Sequence, residues 1–122
     1  MEAGNLSNSI IRDRSFQFSL KIIKLYNYLR FTQNEFVLSK QLLRSGTSIG
    51  ANVREALRGQ SRADFLSKMS ISLKEAEETD YWLELLTMSN YLNNCEENSL
   101  GIECRELCKI LSAIVKTTKD NK

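Results

Sequence analysis

An all-α fold, an antiparallel up-and-down four-helix bundle, is what this 122-residue sequence predicts. Three observations carry the expectation. The chain has no proline and only five glycines, whereas a β-sandwich or barrel of this length uses both freely in its turns, and proline breaks helix interiors. Apolar residues recur at steps of three and four along successive stretches, and no stretch alternates with the period of two that a half-buried strand shows. The segments between those stretches are short, so the amphipathic helices can bury their stripes together only by running antiparallel to their neighbours.

The bundle is expected to span residues 9–118, between a flexible tail at 1–8 and a second short tail at 119–122. The first helix runs from about Ser15 to Phe31, with Ile10–Arg14 preceding or extending it. Phe16, Leu20 and Ile23 form one stripe on it, and Phe18, Ile22, Leu25 and Leu29 form another. Together they make an apolar surface wider than one bundle face needs. After a turn at Thr32–Asn34, the second helix covers about Glu35 to Leu57. Its seam, Leu38, Leu42, Ser45, Ile49, Asn52 and Ala56, alternates steps of four and three in the manner of bundle core positions. Gly59 stands where a left-handed C-terminal cap is expected.

Ser61 begins a third helix, about Ser61 to Tyr91, with its hydroxyl available to the backbone N–H near Asp64 as in a capping box. Its inner face follows Phe65, Met69, Ser72 or Leu73, Ala76, Thr79 or Asp80, Leu83 and Leu86, with Leu66, Trp82 and Leu85 beside it. An asparagine-rich loop, 93–98, contains Cys95. The fourth helix, about Ser99 to Thr118, places Leu100, Cys104, Leu107, Leu111 and Ile114 on its seam, with Ile110 and Val115 alongside.

The composition, 42% hydrophobic and 26% charged, is that of a folded single domain and not of a disordered chain. No stretch approaches the roughly 18 apolar residues of a membrane-spanning helix, and the N-terminus lacks the basic-then-apolar layout of a signal peptide. The three cysteines are odd in number and lack paired spacing, which suits a reducing compartment. A soluble cytoplasmic protein with no membrane partner is the expectation. Cys104 and Cys108 lie one helical turn apart and read as small, partly buried apolar residues.

With no histidine in the chain, serine and cysteine nucleophiles lack their usual base. Gly46 and Gly50 belong to a helix and lack the Gly-Lys-Ser/Thr ending of a phosphate loop. No catalytic residue, cofactor, metal or small-molecule substrate is therefore expected. The strongest competing idea is a carboxylate-only metal site or enzyme on the third helix, using Glu75, Glu77, Glu78, Asp80 and Glu84, with Glu55 as their mate on the second. A solvated acidic face is the simpler reading.

Two features exceed what a plain bundle requires. In Ser45-Gly46-Thr47-Ser48-Ile49-Gly50-Ala51-Asn52, each interior glycine costs about 1 kcal/mol of helix stability relative to alanine. Close approach of another helix is the simplest offset; a ligand or partner backbone lying over the small residues is the rival. Asn52, on the seam, is expected to fix register within a structural polar network of Arg44, Ser48, Asn52, Glu55, Glu78 and Asp80. The charge is also sorted: residues 1–74 carry 12 basic against 5 acidic side chains, and 75–108 carry 1 against 9. Arg54, Arg58 and Arg62 cluster around the turn between helices two and three, followed by Lys68. This polarity suits head-to-side self-association or phosphate binding at the basic end.

The run from Gln41 to Ala56 resembles the signature of the bacterial four helix bundle protein family, which includes the intervening-sequence proteins encoded within some large-subunit ribosomal RNA genes. The resemblance extends to Phe16 and Phe18, to Asp64-Phe65, and to Glu78-Thr79-Asp80-Tyr81-Trp82-Leu83, covering about residues 9–117. The sequence departs from many relatives in placing Ala56-Leu57 where they have glycine after the glutamate. The resemblance implies an antiparallel bundle that assembles as a homo-oligomer, typically a pentamer, and implies little about chemistry. One relative, the accessory variability protein of diversity-generating retroelements, is a basic pentamer that binds nucleic acid and a reverse transcriptase. The expected function is thus a non-enzymatic homo-oligomeric binding or scaffold protein, with Arg54, Arg58, Arg62 and Lys68 as its candidate surface for RNA or DNA. A helical antitoxin-like or partner-capping protein is a further reading.

Overall fold

The computed structural model describes residues 6–92 and 95–121, with the side chains of 95–98 excepted. It has four helices: α1 (Leu6–Phe31), α2 (Leu38–Leu57), α3 (Arg62–Met88) and α4 (Cys95–Asp120). Each packs on its neighbours in chain order, and α4 returns to α1, so α1 and α3 occupy diagonal corners.

The register shows that the neighbours run antiparallel. From Gly46 to Gly50 to Arg54, α2 meets Ile22, then Ser15, then Phe16 of α1. In the other direction Ser45, Ile49 and Glu55 of α2 meet Thr79, Ser72 and Lys68 of α3. Lys21 and Arg14 of α1 pair with Glu103 and Glu106 of α4. The core between the helices contains Phe18, Ile22, Leu42, Ile49, Met69, Leu86, Leu107 and Leu111, all removed from water. No helix among the described residues is long and apolar enough to cross a membrane.

Close approach explains the glycines of α2. A Cβ on Gly46 would lie 2.8 Å from two carbons of the buried Ile22, and one on Gly50 would lie 3.3 Å from the backbone oxygen of Ser15. The helix that comes close is α1, so the lost propensity is offset by packing within the chain.

Several boundaries differ from the sequence expectation, each for a physical reason. Residues 6–8 belong to α1 and not to a tail, because Asn8 and Ile11 are buried and carry the inner stripe one turn upstream; residues 1–5 lie outside the described residues. α2 starts at Leu38, not Glu35. The buried Glu35 carboxylate instead accepts the N–H groups of Val37, Leu38 and Ser39 (3.2, 3.0 and 2.6 Å), while the Ser39 hydroxyl donates to the Glu35 carbonyl. That arrangement satisfies the free donors of a helix N-terminus.

Gly59 is not a left-handed cap, since no glycine has a positive φ among the described residues. It is needed for space: a Cβ there would stand 2.9 Å from a carboxylate oxygen of Asp64 and 3.0 Å from the Ala56 carbonyl. The left-handed positions are Asn34 (φ 56°) and Asn90 (φ 71°). After α3, the N–H of Tyr91 donates to the Leu86 carbonyl and that of Asn90 to Thr87, the paired bonds of a Schellman ending. Ser61 caps α3 as expected, its hydroxyl accepting the Asp64 N–H at 3.0 Å. Of the expected 93–98 loop, Asn93 and Asn94 lie outside the described residues, and the backbone of 95–98 is already the first turn of α4.

Candidate functional site

The basic residues around the α2–α3 turn divide into two groups. Arg54, on the outer edge of α2, lays its guanidinium over the Phe16 ring of α1, 5.0 Å from the centroid, a cation–π contact with no carboxylate in it. Lys68 pairs with Glu55 at 3.3 Å and so brings little free charge. Arg58 and Arg62 flank the turn, exposed, with no ion pair among the described residues. Arg62 also borders a cavity of about 430 Å³ at the end of the bundle, floored by Phe65, Ile110 and Ile114.

The six residues expected to form one polar network do not join into one; of their side chains, Arg44 and Glu78 pair across helices. Arg44 bridges α2 to α3 by pairing with Glu75 (3.2 Å) and Glu78, and Trp82 donates its indole N–H to Glu78 at 3.1 Å. Ser48 and Asn52 bond within α2, to the carbonyls of Arg44 and Ser48. Glu55 turns to Lys68, and Asp80 leaves on the opposite side of α3 to pair with Arg105 of α4 at 3.2 Å. The buried polar seam lies elsewhere: Thr79 donates to the Ser45 hydroxyl at 2.9 Å, and Ser72 donates to the Ile49 carbonyl at 2.8 Å. All three side chains are fully buried, and these bonds join α2 to α3. Ser72 and Thr79 were each one of two candidates for the inner face; nothing in their spacing distinguished them as cross-helix donors.

The acidic segment is likewise dispersed. Glu75 and Glu78 face α2 and Asp80 faces α4, all three held by arginines, while Glu77 and Glu84 are exposed. Among the described residues, no three acidic or cysteine side chains converge as a metal ion requires. Cys104 is buried in the core and its thiol reaches the Ala76 carbonyl at 3.2 Å. Hydrogen bonding with Cys104 holds the half-buried Cys108 below the usual thiol range, and the same contact together with burial pushes Cys104 above it.

The surface that a lone bundle accounts for least is on α1. Phe16, Leu20 and Ile23 remain 44%, 47% and 43% exposed. They form a continuous apolar ridge on the face turned away from the core, closed at one end by Arg54 over Phe16, with Thr47 and Ala51 on the same face of α2 as Arg54 by their spacing.

A model of the 23S rRNA-intervening sequence protein family matches residues 7–113. The chain belongs to that family. A solved structure from the S23 ribosomal protein family, from Bacteroides thetaiotaomicron, is 49% identical, covers 91% of this chain and 99% of its own, and superposes with a TM-score of 0.88; its function is described as unknown. No curated protein matches.

The matched span takes in α1 from residue 7, all of α2 and α3, and α4 as far as residue 113, and with them the glycine-packed α1–α2 seam, the α1 ridge and the basic turn. Family membership accounts for the bundle. It assigns no reaction to any of these surfaces.

Proposed function

We propose that this intervening-sequence protein is a non-enzymatic, homo-oligomeric scaffold, a ring of five chains as the family resemblance implies, that presents its basic turns to RNA or DNA. The observation that carries the reading is the uncovered ridge Phe16–Leu20–Ile23. Fully burying one such side chain stabilises by about 1.5–3 kcal/mol, so three half-exposed ones leave several kcal/mol ungained in an isolated chain. A stable interface takes roughly 800 Å² from each partner, more than three side-chain tips supply. The adjoining Thr47, Ala51 and Arg54 of α2 would have to join the contact, and the two small residues leave room for a neighbouring helix.

For nucleic acid, the support is narrower: Arg58 and Arg62 carry positive charge that no carboxylate takes up among the described residues. Repeating that pair around a symmetric assembly multiplies weak phosphate contacts into useful avidity. Sedimentation velocity across a hundredfold concentration range tests the assembly; a single 14.0 kDa species throughout removes it. Fluorescence anisotropy with labelled RNA and DNA tests the rest. Binding that weakens steeply with salt, and is lost in Arg58→Ala/Arg62→Ala, supports the basic-turn reading, and no binding at low salt ends it.

A further inference from the structure

The α1 ridge has a counterpart on the other side of the bundle. In the C-terminal half of α3, Tyr81, Leu85 and Met88 recur at i, i+4 and i+7, on the face opposite the core-directed Leu83 and Leu86. Tyr81 is 56% and Met88 76% exposed, and Leu85 is half-buried. Phe16, Leu20 and Ile23 have the same spacing, so each ridge is about 10 Å long at the 1.5 Å rise of a helix. Because α1 and α3 are diagonal, the two ridges point away from each other and cannot cover one another within a chain.

Their flanking charges are opposite in sign. Beside the α1 ridge stand Lys24 and Arg54; beside the α3 ridge stand Glu77 and Glu84, with Lys74 one heptad before Tyr81 at its far end, and none of the five has an ion pair among the described residues. Asp13, the acidic residue near the head of the α1 ridge, is taken by Arg12. A like-on-like contact between two α1 ridges would bring Lys24 and Arg54 close to their own copies and leave Tyr81, Leu85 and Met88 in water. Like-charge juxtaposition of that kind costs affinity.

We propose that the α1 ridge of one copy seats on the α3 ridge of the next, a head-to-tail contact in which every chain uses two different faces. Both ridges are then covered, and Lys24 and Arg54 face Glu77 and Glu84. A contact of this type closes into a ring if its rotation permits, and otherwise extends as a filament; it does not stop at a two-fold dimer. The inference rests on the homo-oligomer reading above and adds its polarity.

The test uses the full-length chain with the photo-crosslinker p-benzoylphenylalanine placed at Leu20 in one preparation and at Met88 in another, beside light scattering of the unsubstituted chain. The expected result is a covalent dimer in which the Leu20 probe has captured the neighbour's 77–88 segment and the Met88 probe has captured 16–24. Oligomers in which the Leu20 probe captures the neighbour's α1, or both probes capture other segments, overturn the face pairing and leave the assembly standing. Light scattering at 14.0 kDa across all concentrations overturns both.

Discussion

Along α1, Phe18, Ile22, Leu25 and Leu29 are buried, while Phe16, Leu20 and Ile23, with the same helical spacing, stay nearly half exposed. The two stripes are alike in chemistry and differ in what lies opposite. Facing Ile22 is Gly46, whose missing side chain lets α2 come into contact; facing Leu20 within this chain is water. Periodicity thus tells which side chains share a face, and only packing partners tell which face makes the fold. The inner stripe holds the bundle together, and the outer one is left uncovered within the chain.

Substitutions should separate the two stripes, and the largest effect belongs to the inner one. Phe18→Ala opens a cavity in the core and is expected to cost about 3–5 kcal/mol in urea unfolding. Gly46→Val comes next, because its added carbons enter the space of Ile22; overpacking of this kind costs about 1–3 kcal/mol, visible as a lower melting temperature. Leu20→Ser, measured in dilute protein where single chains prevail, should cost about 1 kcal/mol, the part of its burial the chain itself supplies, while weakening association. Lys24→Glu should be smallest, lowering association modestly and more at low salt than at high. If Leu20→Ser destabilised the single chain as much as Phe18→Ala, the distinction between the stripes would collapse.

Much of this was legible in the sequence. Both stripes of α1, the excess apolar width, the glycine packing and the Ser61 cap follow from spacing and residue type. The misread places have particular causes. A strict alternation of three and four put Asn52 on the α2 seam, but an α-helix drifts about 20° per heptad from that repeat. The buried position falls on Val53 instead, leaving Asn52 half-buried with its amide on the Ser48 carbonyl. The periodic pattern starts the second helix at Glu35 itself, and the residue's role as a cap depends on the left-handed backbone at Asn34, which local pattern does not encode. Gly59 drew the left-handed assignment because glycine adopts that conformation most readily, yet Asn34 and Asn90 hold it and Gly59 answers a spatial demand from Asp64.

The candidate surfaces were less legible than the fold. The cluster Arg54, Arg58, Arg62 and Lys68 was visible as a run of charge, but one-dimensional spacing could not show that Arg54 stacks on Phe16 and Lys68 is matched by Glu55. The α3 ridge did have a sequence signal, the i, i+4, i+7 recurrence of Tyr81, Leu85 and Met88. It lay overlooked behind the stronger inner stripe of the same helix.

The claim that the α1 ridge is an assembly surface is tested most directly by light scattering of the unsubstituted chain beside Leu20→Glu at matched concentrations. The expected result is a mass several times 14.0 kDa for the first, and a folded single chain with undiminished helical signal for the second. Equal masses for the two proteins, whether both single or both assembled, would contradict it.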